Sequence, residues 1–413
     1  MPLSEALGCR LAGPLTALVA VPGVDVAAMD GYAVAGAGPW RVAGHVLAGG
    51  AFYEGELRAG EAVEIATGAP VPVGAESVLP YEQAAVVPVP RMRGDAGRGA
   101  VEPVWVAGPA EPGRHIRRRG EDIAEGTVVL GAGAVVTPVA LGLAAALGHD
   151  ELLVRPRPRV TVLVTGDEVV HEGVPAPGRV RDAIGPFLPG LVEWAGGRVT
   201  GTARLPDGAA PLRCRLASLI AAPPAAVSSD GGGGAVDRDG PGDVGCHAGA
   251  GGVGGRAAVV DVVVVCGASS KGPADHLRAV LGDLDAEVLI DGVAVRPGHP
   301  QLLARLPGGP LVVGLPGNPF AALAASLTLL VPMLREPAGT PAGKETSALA
   351  GAVRAHERDT RLVPVRRTGR GAVPVGHDRP GSLWGAALAD ALAVVPPGWA
   401  GEQVELIELP PGV

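Results

Sequence analysis

Three times between Arg159 and Arg335 an apolar segment of strand length runs into a glycine turn and then into residues at helical spacing. Arg159 to Thr165 leads through Gly166-Asp167-Glu168 to a helix over Phe187 to Ala195. Val259 to Cys266 leads through Gly267-Ala-Ser-Ser-Lys-Gly272 to His276–Leu281, and Leu311 to Val313 leads through Gly314-Leu-Pro-Gly-Asn-Pro319 to an apolar helix. Apolar runs without alternation are strands buried on both faces, and intervening helices let such strands run parallel. Ligands of parallel sheets bind beyond the carboxyl ends of the strands, where these glycine turns must lie. The uncharged stretch Pro307 to Leu334 exceeds the roughly 20 residues that span a bilayer. Pro310, Pro316, Pro319 and Pro332 interrupt it, so it reads as a buried helix over Phe320 to Val331, with no membrane partner.

The rest of the chain has other textures. At 413 residues it calls for several domains. The expected class is α/β multidomain: a central α/β domain over residues 151–336 with a mostly parallel sheet, an N-terminal β-rich module and a small C-terminal β-domain. Residues 34–112 form the β-rich module, where Leu57 to Gln83 alternates short apolar runs with Gly and Pro turns. Residues 1–33 and 113–150 form a linker region containing a helix from Pro138 to Leu147, stopped by Gly148. Within the central domain, 221–255 is a flexible Gly-rich insertion, and its Cys246-His247 pair supplies too few ligands for a metal. Residues 337–413 hold strand-like runs at Arg361 to Arg366, Ala372 to Val375, Ala391 to Val395 and Glu402 to Leu409.

Charge and cysteine usage exclude several function classes. A net charge of −8 gives no footprint for nucleic acid. Four dispersed cysteines without a CxxC pair imply neither a zinc site nor a disulfide framework, which suits a reducing cytoplasm. Leu11 to Val21 is no signal core, because Glu5 precedes it and Pro14 breaks it. No G-x-G-x-x-G follows the first strand, which sets aside a dinucleotide-dependent dehydrogenase.

Four short motifs carry possible chemistry. Thr165-Gly-Asp-Glu168 places a flexible amide and two carboxylates at a strand end, a geometry suited to Mg²⁺ between phosphate oxygens or to the first turn of a helix. Asn318 is a turn stabiliser or a ligand donor. Asp30-Gly31 reads as a turn. Arg117-Arg-Arg-Gly-Glu-Asp122 is either a solvated charge run or an anion clamp beside an acid.

In sequence order these motifs resemble the molybdopterin molybdenumtransferases, a family that includes the gephyrin E domain. The resemblance is carried by Asp25-Val-Ala-Ala-Met-Asp-Gly-Tyr-Ala-Val34, Ala66-Thr-Gly-Ala-Pro-Val-Pro-Val-Gly-Ala75, Ile116-Arg-Arg-Arg-Gly-Glu-Asp-Ile123, Val164-Thr-Gly-Asp-Glu168, Arg181-Asp182, Arg296-Pro-Gly-His-Pro300 and Gly314-Leu-Pro-Gly-Asn-Pro319. It covers nearly the whole chain apart from the insertion. It implies insertion of molybdate into adenylylated molybdopterin, with Mg²⁺-dependent release of AMP, by a homodimer in transient contact with upstream and downstream cofactor proteins. Among site residues it implies catalytic roles for Asp30, Thr67, Asp122, Glu168 and Asp275. Gly166, Asp182, Gly267, Ser270, Gly317, Asn318 and Pro319 would bind the pterin and its phosphate, Asp167 and Asp182 the metal, and Arg296, His299, Arg366 and Ser382 molybdate. The chain departs from the family pattern at Arg296 and His299, where Lys is usual, at Asp182-Ala-Ile-Gly185, where Asp-Ser-Asn-Gly is common, at Pro273, often acidic, and at Ala321, often Ser. A non-catalytic molybdopterin-binding scaffold is the alternative these departures leave open.

Overall fold

The computed structural model describes residues 1–88, 104–220, 260–267, 276–340, 343 and 345–411. The insertion at 221–255, with Cys246 and His247, and the residues Ser270, Pro273 and Asp275 lie outside the described residues. The chain forms two compact units, one of residues 1–7 and 11–154, the other of 8–10 and 155–413.

In the first unit a six-stranded sheet runs in the order Ser77–Pro80, Gly31–Val34, Glu61–Ile65, Trp40–Val46, Trp105–Ala107, Ala85–Val87. Gly31–Val34 is thus an interior strand, so the β-rich module reaches back before residue 34. Asp30-Gly31 is a strand entrance rather than a simple turn. Gly31 is needed for close approach: a Cβ there would lie 2.0 Å from the Leu79 carbonyl oxygen. The helix Pro138–Ala146 starts as expected from proline at its first position, and the Thr137 hydroxyl caps it by accepting from Ala140 N at 3.1 Å.

The second unit contains the mostly parallel sheet expected from the three repeats. Its order is Arg198–Leu205, Arg159–Thr165, Val262–Cys266, Leu311–Leu315, Leu302–Arg305, Glu287–Asp291; the first four strands are mutually parallel, and Leu302–Arg305 runs antiparallel to both of its neighbours. Every residue of Val262–Cys266 is buried, and successive side chains feed opposite cores. Val162 and Val264 face Leu188 and Phe320 on one side, while Leu163 and Val263 face Leu212 and Leu277 on the other. Each fully buried Val or Leu contributes about 1.5–3 kcal/mol, against about 0–1 kcal/mol for an exposed ion pair, so these two layers carry the stability of the unit.

The apolar helix extends beyond Val331 and runs from Pro319 to Ala338. A π turn over Ser326–Leu330, with Val331 N–H bonded to the Ser326 carbonyl, widens the helix just ahead of Pro332 and lets the chain pass a residue that has no N–H to donate. Phe320 through Ala325 are all buried, which marks it as a core helix.

The C-terminal sheet has the order Val295–Arg296, Thr360–Thr368, Ala391–Val395, Gln403–Glu408, Glu345–Ala348, with Gly371–Pro374 paired to Thr360–Thr368. Its first strand comes from within the α/β segment. Leu362 and Leu392 join the same core as Phe320, so the two modules share buried surface.

Candidate functional site

Register sets the glycine turns side by side. Val164 pairs with Cys266 and Cys266 with Leu315, so the three strands end level. A Cβ on Gly267 would sit 2.9 Å from the Thr165 carbonyl oxygen, and one on Gly317 would sit 3.6 Å from Gly267 Cα. Gly267 also has φ +92°, a conformation costly for any other residue. Thr165 Oγ1 donates to the Cys266 carbonyl at 2.9 Å and ties two of the strand ends together.

No helix follows Thr165-Gly-Asp-Glu168; the chain turns and enters the short strand Val169–Val170. The helix-cap reading of Asp167 and Glu168 is therefore set aside. Asp167 N donates to Asp207 Oδ2 at 3.1 Å, and Asp207 N donates back to Asp167 Oδ1 at 3.2 Å, which pins this turn. Gly166 has φ +133°, and Glu168 beside it is exposed. Asp182 is engaged more fully. Its Oδ1 accepts from Ile184 N at 3.0 Å and Gly185 N at 2.8 Å, and its Oδ2 lies 3.2 Å from His171 Nδ1. The backbone thus holds Asp182 although Ala183 and Ile184 offer no polar side chains. Among the described residues no three His, Cys, Asp or Glu side chains gather as a metal site.

Beside the Gly314–Pro319 turn lies a hollow of about 510 Å³ lined by Arg296, His299, Asn318, Arg354, His356, Arg361 and Asp378, among others. Strand pairing builds it: Val295–Arg296 runs parallel to Thr360–Arg361, with Arg296 opposite Arg361. Arg296 Nε is 2.5 Å from Asp359 Oδ2, and Arg361 Nε is 2.6 Å from Asp378 Oδ2. The Arg296 guanidinium holds the Asp359 carboxyl below the usual carboxylate range, and Asp378 raises the Arg361 pKa. Gly298, at φ +112°, lets this loop lie on the core helix, since a Cβ there would be 3.2 Å from the Ala321 carbonyl oxygen. Gln301, wholly buried, donates from Nε2 to the Gly298 carbonyl at 3.0 Å and fixes the loop from beneath.

Asn318 is exposed, makes no capping bond and lines the hollow, which favours the ligand-donor alternative over a turn stabiliser. Pro319 opens the core helix, whose first amides are not free: Phe320 N and Ala321 N donate to the Pro380 carbonyl at 2.8 and 3.3 Å. Arg366 and Ser382 do not line the hollow. Arg366 stands five positions beyond Arg361 on one strand, about 17 Å away at roughly 3.4 Å per residue and on the opposite face. Its guanidinium donates to the Leu388 carbonyl at 3.2 and 2.7 Å. Ser382 Oγ accepts from Trp384 N at 3.3 Å. Sequence reading missed Arg354, Arg361, Asp359 and Asp378; the strand pairing of Arg296 is the signal that finds them.

In the first unit, three distant motifs meet on one surface. Val26–Ala27 pairs with Ile116–Arg117, while Gly68 N donates to the Ala27 carbonyl and Ala27 N to the Ala69 carbonyl. Asp30 Oδ1 accepts from Thr67 N at 2.6 Å and Thr67 Oγ1 at 2.9 Å. The Thr67 amide, then its hydroxyl, holds the Asp30 carboxyl below its usual range. Arg117 pairs with Asp122, Arg118 with Asp25 at 2.6 Å and Arg119 with Glu125 at 3.0 Å. All three guanidiniums of the basic run are thus engaged within their own unit, so it is not a free anion clamp. Tyr81, whose hydroxyl donates to Glu64 at 2.6 Å, stacks edge-on to Tyr32 next to Asp30, a cluster that sequence reading missed.

Glycine turns level at the ends of parallel strands, beside an arginine-lined hollow, define a protein class that handles phosphate-bearing and oxyanionic ligands. A family model described as the MoeA N-terminal region (domain I and II) matches residues 1–148, one described as a probable molybdopterin binding domain matches 252–336, and one described as the MoeA C-terminal region (domain IV) matches 346–409. Molybdopterin molybdenumtransferase 2 of Mycobacterium tuberculosis is 35% identical over 357 residues, covering 83% of this chain and 75% of that protein. The molybdopterin molybdenumtransferase of Synechococcus elongatus is 31% identical over 350 residues, covering 81% and 74%. A crystal structure of the molybdopterin biosynthesis MoeA protein from Pyrococcus horikosii superposes with a TM-score of 0.65 at 26% identity, covering 100% of this chain and 94% of that one. The chain belongs to the molybdopterin molybdenumtransferase family.

Proposed function

We propose that the chain inserts molybdate into adenylylated molybdopterin and releases AMP, giving molybdenum-molybdopterin. The observation that carries this reading is the adjacency of the level glycine turns to the arginine-lined hollow, with Asn318 between them. Gly166, Gly267 and Gly317 keep the strand ends open for the pterin phosphate, joined by Ser270 from the same turn region. Arg296 and His299, with Arg354 and Arg361, draw in molybdate, the anionic substrate.

Cleaving a phosphate anhydride needs positioning and charge compensation more than a protein nucleophile. Asp167 and Glu168 fit a shared Mg²⁺ site, because neighbouring carboxylates at a strand end suit an ion that takes its remaining ligands from substrate phosphates and water. Such an ion supplies charge neutralisation at the anhydride. Asp182 instead orients its own loop. Asp30, fixed on Thr67, Asp122, fixed on Arg117, and Asp275 act on the substrate in a homodimer. The helix Pro138–Ala146, apolar along its whole length with Val139 81% exposed, supports burial against a second copy. Cysteine spacing supports a cytoplasmic setting, with transient contacts to the proteins that supply and accept the pterin.

The decisive experiment incubates purified protein with adenylylated molybdopterin, molybdate and Mg²⁺. Molybdate-dependent AMP release is expected. Pterin retained without AMP above background would return the chain to the non-catalytic scaffold alternative, which the enzyme names of its relatives do not favour.

A further inference from the structure

One carboxylate, Asp378, lines the arginine-lined hollow, and a second, Asp359, stands outside the lining but is tied to Arg296. Arg296 and Arg361 lie on adjacent strands in register, and each is tied through Nε to an acid, Asp359 at 2.5 Å and Asp378 at 2.6 Å. The acids sit deeper than their partners: the Asp359 side chain is 14% exposed against 60% for Arg296, and Asp378 is 23% exposed against 33% for Arg361. Contact through Nε leaves the outer edge of the Arg296 guanidinium for a ligand. Arg354 lines the same hollow without a carboxylate partner among the described residues.

His356 adjoins Asp359. His356 Nδ1 accepts from Arg358 N at 3.2 Å and Asp359 N at 3.0 Å, so that nitrogen carries no proton to share with the carboxylate 3.5 Å away. Arg296 is therefore the hydrogen-bonded cation of Asp359. A tetrahedral dianion such as molybdate is fully ionised at neutral pH and offers only acceptors, so a carboxylate tied to one of its cations acts on it only by repulsion.

We propose that Asp359 is a built-in counter-ion that weakens oxyanion binding in this hollow, so that the anion is captured loosely and passed on. The proposal rests on the reading of the hollow as the oxyanion site. It separates two roles of one side chain: orienting the Arg296 guanidinium and cancelling its charge. An asparagine in its place keeps the shape and an oxygen acceptor for Arg296 while removing the charge.

Titration calorimetry of the full chain with sodium molybdate at fixed ionic strength tests this. Asp359→Asn should bind molybdate roughly three- to tenfold tighter than the parent protein. Asp378→Asn should move affinity in the same direction and gives a second route if the first variant melts early. Arg296→Ala should bind more weakly. Unchanged or weaker binding in both folded Asp→Asn variants, while Arg296→Ala loses affinity, overturns the counter-ion proposal and leaves the oxyanion site standing. No molybdate heat from the parent protein or from either Asp→Asn variant, with pterin binding retained, removes the oxyanion reading itself and the proposal with it.

Discussion

The acid-rich surface of the first unit and the arginine-lined hollow of the second use the same side chains to opposite ends. On the first surface every guanidinium of Arg117, Arg118 and Arg119 meets a carboxylate, and Asp30 is held by Thr67. These charges fix loops and leave carboxylates at set positions. The hollow is lined by three guanidiniums and one carboxylate, Asp378, with His299 and His356 beside them, while Asp359 pairs with Arg296 from outside the lining. That surplus is what the proposed oxyanion site rests on. Clustered charges in a sequence mark a ligand site only when the fold leaves them unbalanced, so Arg296, Arg354 and Arg361, scattered over 66 positions of sequence, outrank three consecutive arginines.

Three substitutions sharpen this contrast on the first surface. Gly31→Ala should be the most damaging, because the added Cβ would meet the Leu79 carbonyl at 2.0 Å. Overpacking against backbone should cost at least about 2 kcal/mol, measured by urea unfolding. Unchanged stability would show that the Asp30 motif tolerates a looser strand entrance. Asp122→Ala should lower turnover roughly 100-fold while changing pterin affinity far less, since an acid beside the anhydride acts on the transition state. Arg117→Ala serves as its control. If that variant loses as much turnover, Asp122 acts by holding Arg117 and the two regions differ less than argued.

The smallest effect concerns acid stability. The Arg119 amide, then the Arg118 side chain, holds the Asp25 carboxyl below its ordinary range. A depressed folded-state pKa gives stability that is full above the unfolded-state value and disappears as pH falls through the folded one. Asp25→Asn should therefore flatten the acid limb of the stability curve, by at most about 1 kcal/mol because the pair is partly exposed and screened. An unaltered acid limb in thermal melts at graded pH would place the stability of this loop elsewhere.

Much of the architecture was legible because it depends on local pattern. Val262–Cys266 announces a doubly buried strand by its unbroken apolar run. Arg198–Leu205, on the sheet edge, alternates half-buried with exposed residues and carries two arginines, so it gave no such sign. That the glycine turns gather at one edge was legible because parallel topology dictates where strand ends meet. The hollow was only half legible. Arg296 and His299 stand in a recognisable motif, but Arg361 enters through a strand pairing across 65 residues that no local period encodes. Arg366 lies away from Arg361 for a simple reason: an odd offset along the pleat points the other way.

Val295–Arg296 has a wider consequence. It belongs by sequence to one module and by hydrogen bonding to the sheet of the other. A fragment beginning after Pro337 would inherit an uncovered sheet edge and lose one wall of its anion hollow, and the fragment left behind would carry an orphaned loop. The two modules are thus stitched into a single heritable part. Fusion, duplication or truncation at the apparent sequence boundary would cut through the candidate site, so rearrangements of this chain that keep the hollow must carry both modules together.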